Sequence, residues 1–292
     1  MARFTRWLRQ AYDAVITLVV VAVAIVLGLL DVLNAPQINQ AILLVLGLLA
    51  FNILRDRHRA EQADPESQAV QLLQSDEIRR ELEEARRRTS IWMFKGGTGT
   101  YLRAMTLPRC VRNADREQRP LRMRVEIIDP TNDDVCAYYA RFRQSRPDST
   151  GEQWTLARTR NESFASILAA CWYTQRCPIL TIEVALSGTV PTFRWDLSSS
   201  RAFMTQEERS PHLMFREPSR PYDLCTRELD SSFRQAKRLP LERATVRLSD
   251  EPTADQVRCL FTELGLELPA TMTDADFAAI VEKALHPRNP YP

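Results

Sequence analysis

The residues best suited to chemistry form one short run, Lys95-Gly96-Gly97-Thr98-Gly99-Thr100. The chain has only eight glycines in 292 residues, and three of them stand here. Glycine permits positive φ and lets another group come close to the main chain. Where a strand turns into a helix, such a loop offers backbone N–H groups and the positive end of the helix dipole to an anion. Thr98 and Thr100 add hydroxyl donors, and Lys95 and Arg103 add positive charge. That set would hold a phosphate, a nucleotide or a carboxylate. A tight turn capped by threonine needs the same residues, and the sequence leaves both readings open.

A second run, Asp129-Pro130-Thr131-Asn132-Asp133, closes the next apolar segment. If the two preceding strands are parallel neighbours, both runs lie at the carboxyl edge of the sheet, where open α/β folds place ligands. Asp129 or Asp133 could then accept a ribose hydroxyl or hold a metal. Alternatively, Asp129 and Asn132 only shape a turn and cap a helix. His212, in SPHLMF, reads as a general base or as an ordinary loop histidine. Arg158, Arg160 and Asn161 begin an amphipathic helix, either solvated or facing an anionic ligand. The candidate ligand-binding set is therefore Lys95, Gly96, Gly97, Thr98, Gly99, Thr100, Arg103, Asp129, Asn132 and Asp133. No nucleophile–base pair can be assembled from spacing, so no catalytic residue is assigned, no metal ligand is assigned and no cofactor is named.

Composition narrows the chemistry further. Three scattered histidines, His58, His212 and His286, cannot form a zinc-binding H-E-x-x-H helix. The G-x-x-x-x-G-K-[ST], G-x-S-x-G and G-x-G-x-x-G signatures are absent from the sequence. A net charge of +2 removes any whole-chain argument for nucleic-acid binding. Arginine outnumbers lysine 36 to 3, a bias that a GC-rich genome would also produce.

The elements that must position these runs alternate along the chain. Strands are expected over residues 90–94, 121–128, 179–186 and 192–197, the last two as a hairpin, with a short strand over 201–205. Helices are expected over 101–113, 132–143 and 152–176, and from Pro221 through 239. This order predicts a three-layer α/β domain over residues 90–249. Before it, Ser75 caps a helix with Ile78, Leu82 and Ala85 on one face, either a surface helix or a pairing element between copies in a homo-oligomer. After it, residues 250–292 form a helical hairpin. Thr253 and Gln256 make a capping box, Gly265 stops the first helix, and Thr273 caps the second.

The N-terminus carries a different pattern. Residues 14–30 and 38–54 are two runs of seventeen without a charge, at the lower limit for crossing a bilayer. Arg3, Arg6 and Arg9 precede the first, and Arg55, Arg57 and Arg59 follow the second, while the connector has no Lys or Arg. The positive-inside rule places both termini in the cytoplasm. The expected organisation is a two-helix transmembrane hairpin over 1–54, a linker and juxtamembrane helix over 55–89, the α/β domain, and the C-terminal hairpin. All six cysteines follow the apolar runs and are expected as free, mostly buried thiols.

The two apolar runs, the linker and the α/β domain together resemble the two-transmembrane effectors of bacterial antiphage systems, including those of some retrons and of cyclic-nucleotide-based systems. The stretch Ser90-Ile-Trp-Met-Phe-Lys-Gly-Gly-Thr-Gly, with the later Ile127-Ile128-Asp129-Pro130, also resembles the strand ends of phospholipase D-like domains. The H-x-K pairs of that family are missing, which implies a binding module in place of a phosphodiesterase. The resemblance implies an inner-membrane effector whose cytoplasmic domain senses a ligand and controls membrane disruption by the hairpin. Its expected partners are the lipid bilayer, a cytoplasmic protein or nucleoprotein, a second copy of the chain and a nucleotide. Two alternatives stand beside it: a membrane-anchored enzyme acting on a phosphorylated or nucleotide substrate, and an anchored scaffold for a cytoplasmic partner.

Overall fold

The structure, a computed structural model, describes residue 50 and residues 69–144, 153–206 and 212–289. Contacts divide the chain into two units, residues 1–65 and 66–292.

The centre of the second unit is a mixed eight-stranded sheet: β1 Val70–Leu73, β2 Ile91–Lys95, β3 Leu121–Ile128, β4 Leu180–Ser187, β5 Arg194–Ser198, β6 Arg201–Thr205, β7 His212–Arg216 and β8 Lys237–Arg238. The spatial order is β1-β7-β6-β5-β2-β3-β4-β8. The three strands β2, β3 and β4 run parallel, with Phe94 opposite Val125 and Val125 opposite Val184. Every other pairing is antiparallel.

The helices are α1 Ser75–Arg88, α2 Leu107–Arg116, α3 Asp133–Gln144, α4 Leu156–Arg176, α5 Arg220–Gln235, α6 Ala254–Glu263 and α7 Asp274–Leu285. A π-helical segment, Leu102–Thr106, leads into α2. Strand alternation sorts the two faces of the sheet. Trp92, Phe94, Ile127, Phe203 and Met214 point into the large core with α1, α2, α4, α6 and α7. Met93, Leu197 and Ala202 point the other way, onto Tyr222, Cys225 and Leu229 of α5. The stripe Ile78, Leu82 and Ala85 is buried in the domain's own core.

Helix α4 is buried nearly all round, from Phe164 to Cys171. Helices α6 and α7 join the same core: Phe261 stacks on Phe164 with centroids 4.9 Å apart, a contact of about 0.5–1.5 kcal/mol beyond burial. Thr253 with Gln256 and Thr273 with Asp276 form the two capping boxes, and Gly265 stops α6 at φ +69. Five of the six cysteines are buried and Cys259 is exposed.

Several expectations are corrected. An α/β domain behind a transmembrane hairpin is not what the structure describes. It shows a mixed-sheet α/β domain, and among the described residues no helix is long and apolar enough to cross a membrane. The longest, α4, has 21 residues but carries Arg158, Arg160, Glu162 and Arg176. The runs 14–30 and 38–54 lie outside the described residues, apart from Ala50.

Strand β5 does not form a hairpin with β4. The outer edge of β4 is taken by β8, and Leu239 N donates to Val184 O at 2.9 Å. Residues 188–193 instead carry the chain back along the carboxyl edge, so that β5 pairs with β2. Strands β1 and β7, in regions expected to be linker and loop, are paired with each other. Helix α5 ends at Gln235, short of the expected 239.

Candidate functional site

The carboxyl ends of β2, β3 and β4 define one edge of the sheet, and the antiparallel strands bring Arg194, Thr205 and His212 to the same edge. Arg194 pairs with Thr205. Extending the β6–β7 register, where Met204 pairs with Leu213, puts Thr205 opposite His212. Extending the β2–β5 register, where Lys95 pairs with Trp195, puts Gly96 opposite Arg194. Gly96, Arg194, Thr205 and His212 thus form a row beside the glycine run.

The glycines are required by close packing. A Cβ on Gly97 would lie 2.4 Å from the Tyr139 ring. Gly99 has φ +75, and a Cβ there would lie 2.9 Å from Ser166 Oγ. The groups that come close to this main chain are the protein's own side chains.

The side-chain donors of the run are also occupied from within. Thr98 and Thr100 hydroxyls lie 2.9 Å apart, and Thr100 Oγ1 donates to Glu162 Oε2 at 3.0 Å. Arg103, 2% exposed, donates to the Glu162 carboxylate and backbone carbonyl, to Ser166 Oγ at 2.8 Å and to Lys283 O at 2.7 Å. Lys283 Nζ reaches Glu162 Oε1 at 2.8 Å. Burial alone would push the Glu162 carboxyl up, but Arg103 and Lys283 overcome it and hold it at about 2. Glu162 thus places an anion of the protein's own beside the glycine loop.

The other expected residues separate from this cluster. Lys95 has the strand parity of Met93, which faces α5, and its Nζ lies 4.0 Å from the buried Glu126 carboxylate. Asp129 Oδ1 accepts from Thr131 N and Oγ1 at 2.8 and 2.6 Å. Asn132 Oδ1 accepts from Val135 N at 3.1 Å, at the start of α3. Asp133 pairs with Arg160. The runs 95–100 and 129–133 do share one edge, but the carboxylate of Asp129 serves its own turn.

Beside the glycine loop lies a cleft of about 1100 Å³. Nine arginines and one lysine line it, against three glutamates. Of these, Glu162 is held by Arg103 and Lys283, and Glu83 pairs with Arg109 and, at 3.7 Å, with Arg86. The cleft is therefore strongly cationic in a chain of net charge +2. Two aromatic rings in its wall each carry two guanidinium groups. Arg143 and Arg158 lie 4.9 and 4.2 Å from the Trp154 ring, and Arg86 and Arg194 lie 5.3 and 4.4 Å from the Tyr101 ring. Trp154 packs edge-on against Tyr139, the ring that covers Gly97, with centroids 5.6 Å apart. Stacking fixes the plane of a guanidinium, which leaves its N–H edge oriented for phosphate.

Trp154 Nε1 and His212 Nδ1 are among the buried polar atoms of the cleft wall that have no hydrogen-bond partner. Arg194 Nε sits 2.9 Å from Asp196 Oδ2, in ion-pair range but off the line of a hydrogen bond. Burial first and Arg194 second hold the His212 imidazole below its ordinary pKa, so it is neutral at pH 7. Sequence reasoning passed over Arg86, Arg143 and Arg194, which come from three separate elements. Trp154 and Arg158, four residues apart across the start of α4, were a local signal.

No protein-family model and no curated protein matches this chain, so the comparisons lend no support to the antiphage-effector resemblance. Among solved structures, TrmBL2, described as an archaeal chromatin protein with a novel mode of DNA binding, is similar at 7% identity and a TM-score of 0.33, over 70% of this chain and 71% of that one. The phosphatidylserine synthase of Haemophilus influenzae Rd KW20 is similar at 13% identity and a TM-score of 0.42, over 67% of this chain. The match spans 46% of the synthase, less than half its length. At such TM-scores neither likeness carries an argument.

Proposed function

We propose that residues 66–292 form a binding module for a multiply phosphorylated ligand, seated in the arginine-lined cleft. The observation that carries this reading is the set of guanidinium groups over two aromatic rings of one cleft, Arg143 and Arg158 over Trp154 and Arg194 over Tyr101. Arginine held in this way binds phosphate through directed, charge-assisted hydrogen bonds. The cleft has the size of a small-molecule site and lies at the carboxyl edge of parallel strands. The membrane-effector role expected from the sequence rests on residues 1–54 and is not part of this proposal.

The test is titration of the purified full chain with inorganic tripolyphosphate, followed by calorimetry. Binding should weaken as salt is raised, through screening of exposed charges. Arg158→Ala removes one charge-assisted contact of about 1.5–3 kcal/mol, so affinity should fall roughly ten- to a hundredfold. Asp129→Asn, outside the cleft, should hold affinity within about twofold, which is under 0.5 kcal/mol. No binding at millimolar tripolyphosphate, or equal losses in the two variants, would refute the proposal.

A further inference from the structure

The cleft contains a buried imidazole whose acceptor nitrogen bare phosphate cannot use. Its charged lining is rich in hydrogen-bond donors: guanidinium groups, the Lys283 ammonium and the Trp154 indole N–H. His212 differs. It is 5% exposed, it lines the cleft, and its Nδ1 has no partner. A neutral imidazole offers one donor and one acceptor nitrogen, whereas an ionised phosphate oxygen only accepts. A buried polar atom without a partner is costly, commonly by about 1–3 kcal/mol. Arg194, the next charged member of the same row, supplies positive charge close to the imidazole.

The cleft also has apolar lining: Ile78, Phe94 and Phe193. A volume of about 1100 Å³ is also larger than a triphosphate alone would fill.

We infer that the ligand is a nucleotide, with its phosphates at the stacked arginines and a hydroxyl or amino group of its nucleoside hydrogen-bonded to His212. This rests on the phosphate-binding reading and adds the class of ligand and the residue that selects it. The aromatic walls give the base an apolar surface. His212 gives the nucleoside an acceptor that inorganic phosphate cannot exploit. Discrimination by a buried polar group of this kind is strong, because the wrong ligand leaves it unpaired.

The experiment compares inorganic tripolyphosphate with each of the four ribonucleoside triphosphates on the full chain. At least one nucleotide should bind tenfold or more tightly than tripolyphosphate. In His212→Phe the ratio of the two affinities should fall about tenfold, and His212→Gln, which keeps an acceptor, should recover part of it. Thermal melting checks that both variants are folded, and the wild-type ratio stands as a test even if neither is. If tripolyphosphate binds but no nucleotide binds more tightly, or if the ratio in His212→Phe equals that of wild type, this inference is overturned while phosphate binding stands. If tripolyphosphate does not bind, the phosphate-binding reading fails and this inference goes with it.

Discussion

Replacing Glu162 by glutamine should destabilise this domain strongly. The carboxylate accepts from Thr100, Arg103 and Lys283, and Arg103 is 2% exposed. Glutamine puts an NH2 group against donors and leaves the Arg103 charge buried without its counter-charge. Breaking a buried pair from one side costs about 3–5 kcal/mol. The titration of Glu162 gives a second route to the magnitude. A pKa held at about 2 against 4.5 corresponds to about 3 kcal/mol at neutral pH. The sign is that of a depressed carboxylate: the contribution is full above pH 4.5 and is lost as pH falls toward 2. Urea unfolding at pH 7 should therefore show a midpoint lower by about 1 M or more at an ordinary m-value of 1–3 kcal/mol/M. The gap between wild type and Glu162→Gln should narrow between pH 4.5 and 2. Arg103→Met with Glu162→Met removes both charges and should cost less than Glu162→Gln alone, because Lys283, with a side chain 29% exposed, can turn to water. A loss below about 1 kcal/mol, against the 3–5 expected of a broken buried pair, would refute the account. So would a gap that does not change with pH.

Two further outcomes come from the packing. Gly97→Ala should cost about 1–3 kcal/mol, as overpacking does, because its Cβ falls 2.4 Å from the Tyr139 ring; since Tyr139 supports Trp154, tripolyphosphate affinity should fall with stability in the same calorimetric titration. Glu126 is buried with one oxygen unpartnered, and burial pushes its carboxyl up despite Ser232 and Lys95, so wild-type stability should fall as pH rises through the range between its unfolded and folded pKa. Glu126→Gln should abolish that fall, and urea unfolding at pH 4 and pH 8 would show it; a slope unchanged in the variant would count against the burial argument.

The parallel half of the domain was legible because its strands announce themselves. Leu121–Ile128 alternates cleanly and forms β3 over the expected residues. The capping boxes of α6 and α7 were equally local, each fixed by residues three apart. The antiparallel half was not legible in the same way. Strands β1 and β7 have four and five residues, too few for a pattern, and each is stabilised by the other from far along the chain. The position of β5 depends on a competition for the edge of β4, which two residues of β8 win. Hydrophobic period alone carries no information about such a contest.

The glycine run was legible as a place of close approach, and its occupant was not. The side chain that takes the Thr100 hydroxyl is Glu162, 62 residues away, on a helix whose sequence reads only as amphipathic. A loop of donors at a helix N-terminus attracts an anion by local physics, but the sequence does not say whether the anion is a ligand or a side chain. Here it is a side chain. With a carboxyl held at about 2, Glu162 is ionised throughout the neutral range, so the positive charge beside the loop is permanently answered. A phosphorylated ligand in the cleft would then draw on further cationic groups outside the Glu162 cluster, Arg143 and Arg158 over Trp154 and Arg194 over Tyr101 among them. The Gly97–Tyr139–Trp154 contacts join the two: the missing Cβ of Gly97 lets Tyr139 sit where it can carry the ring that carries Arg143 and Arg158.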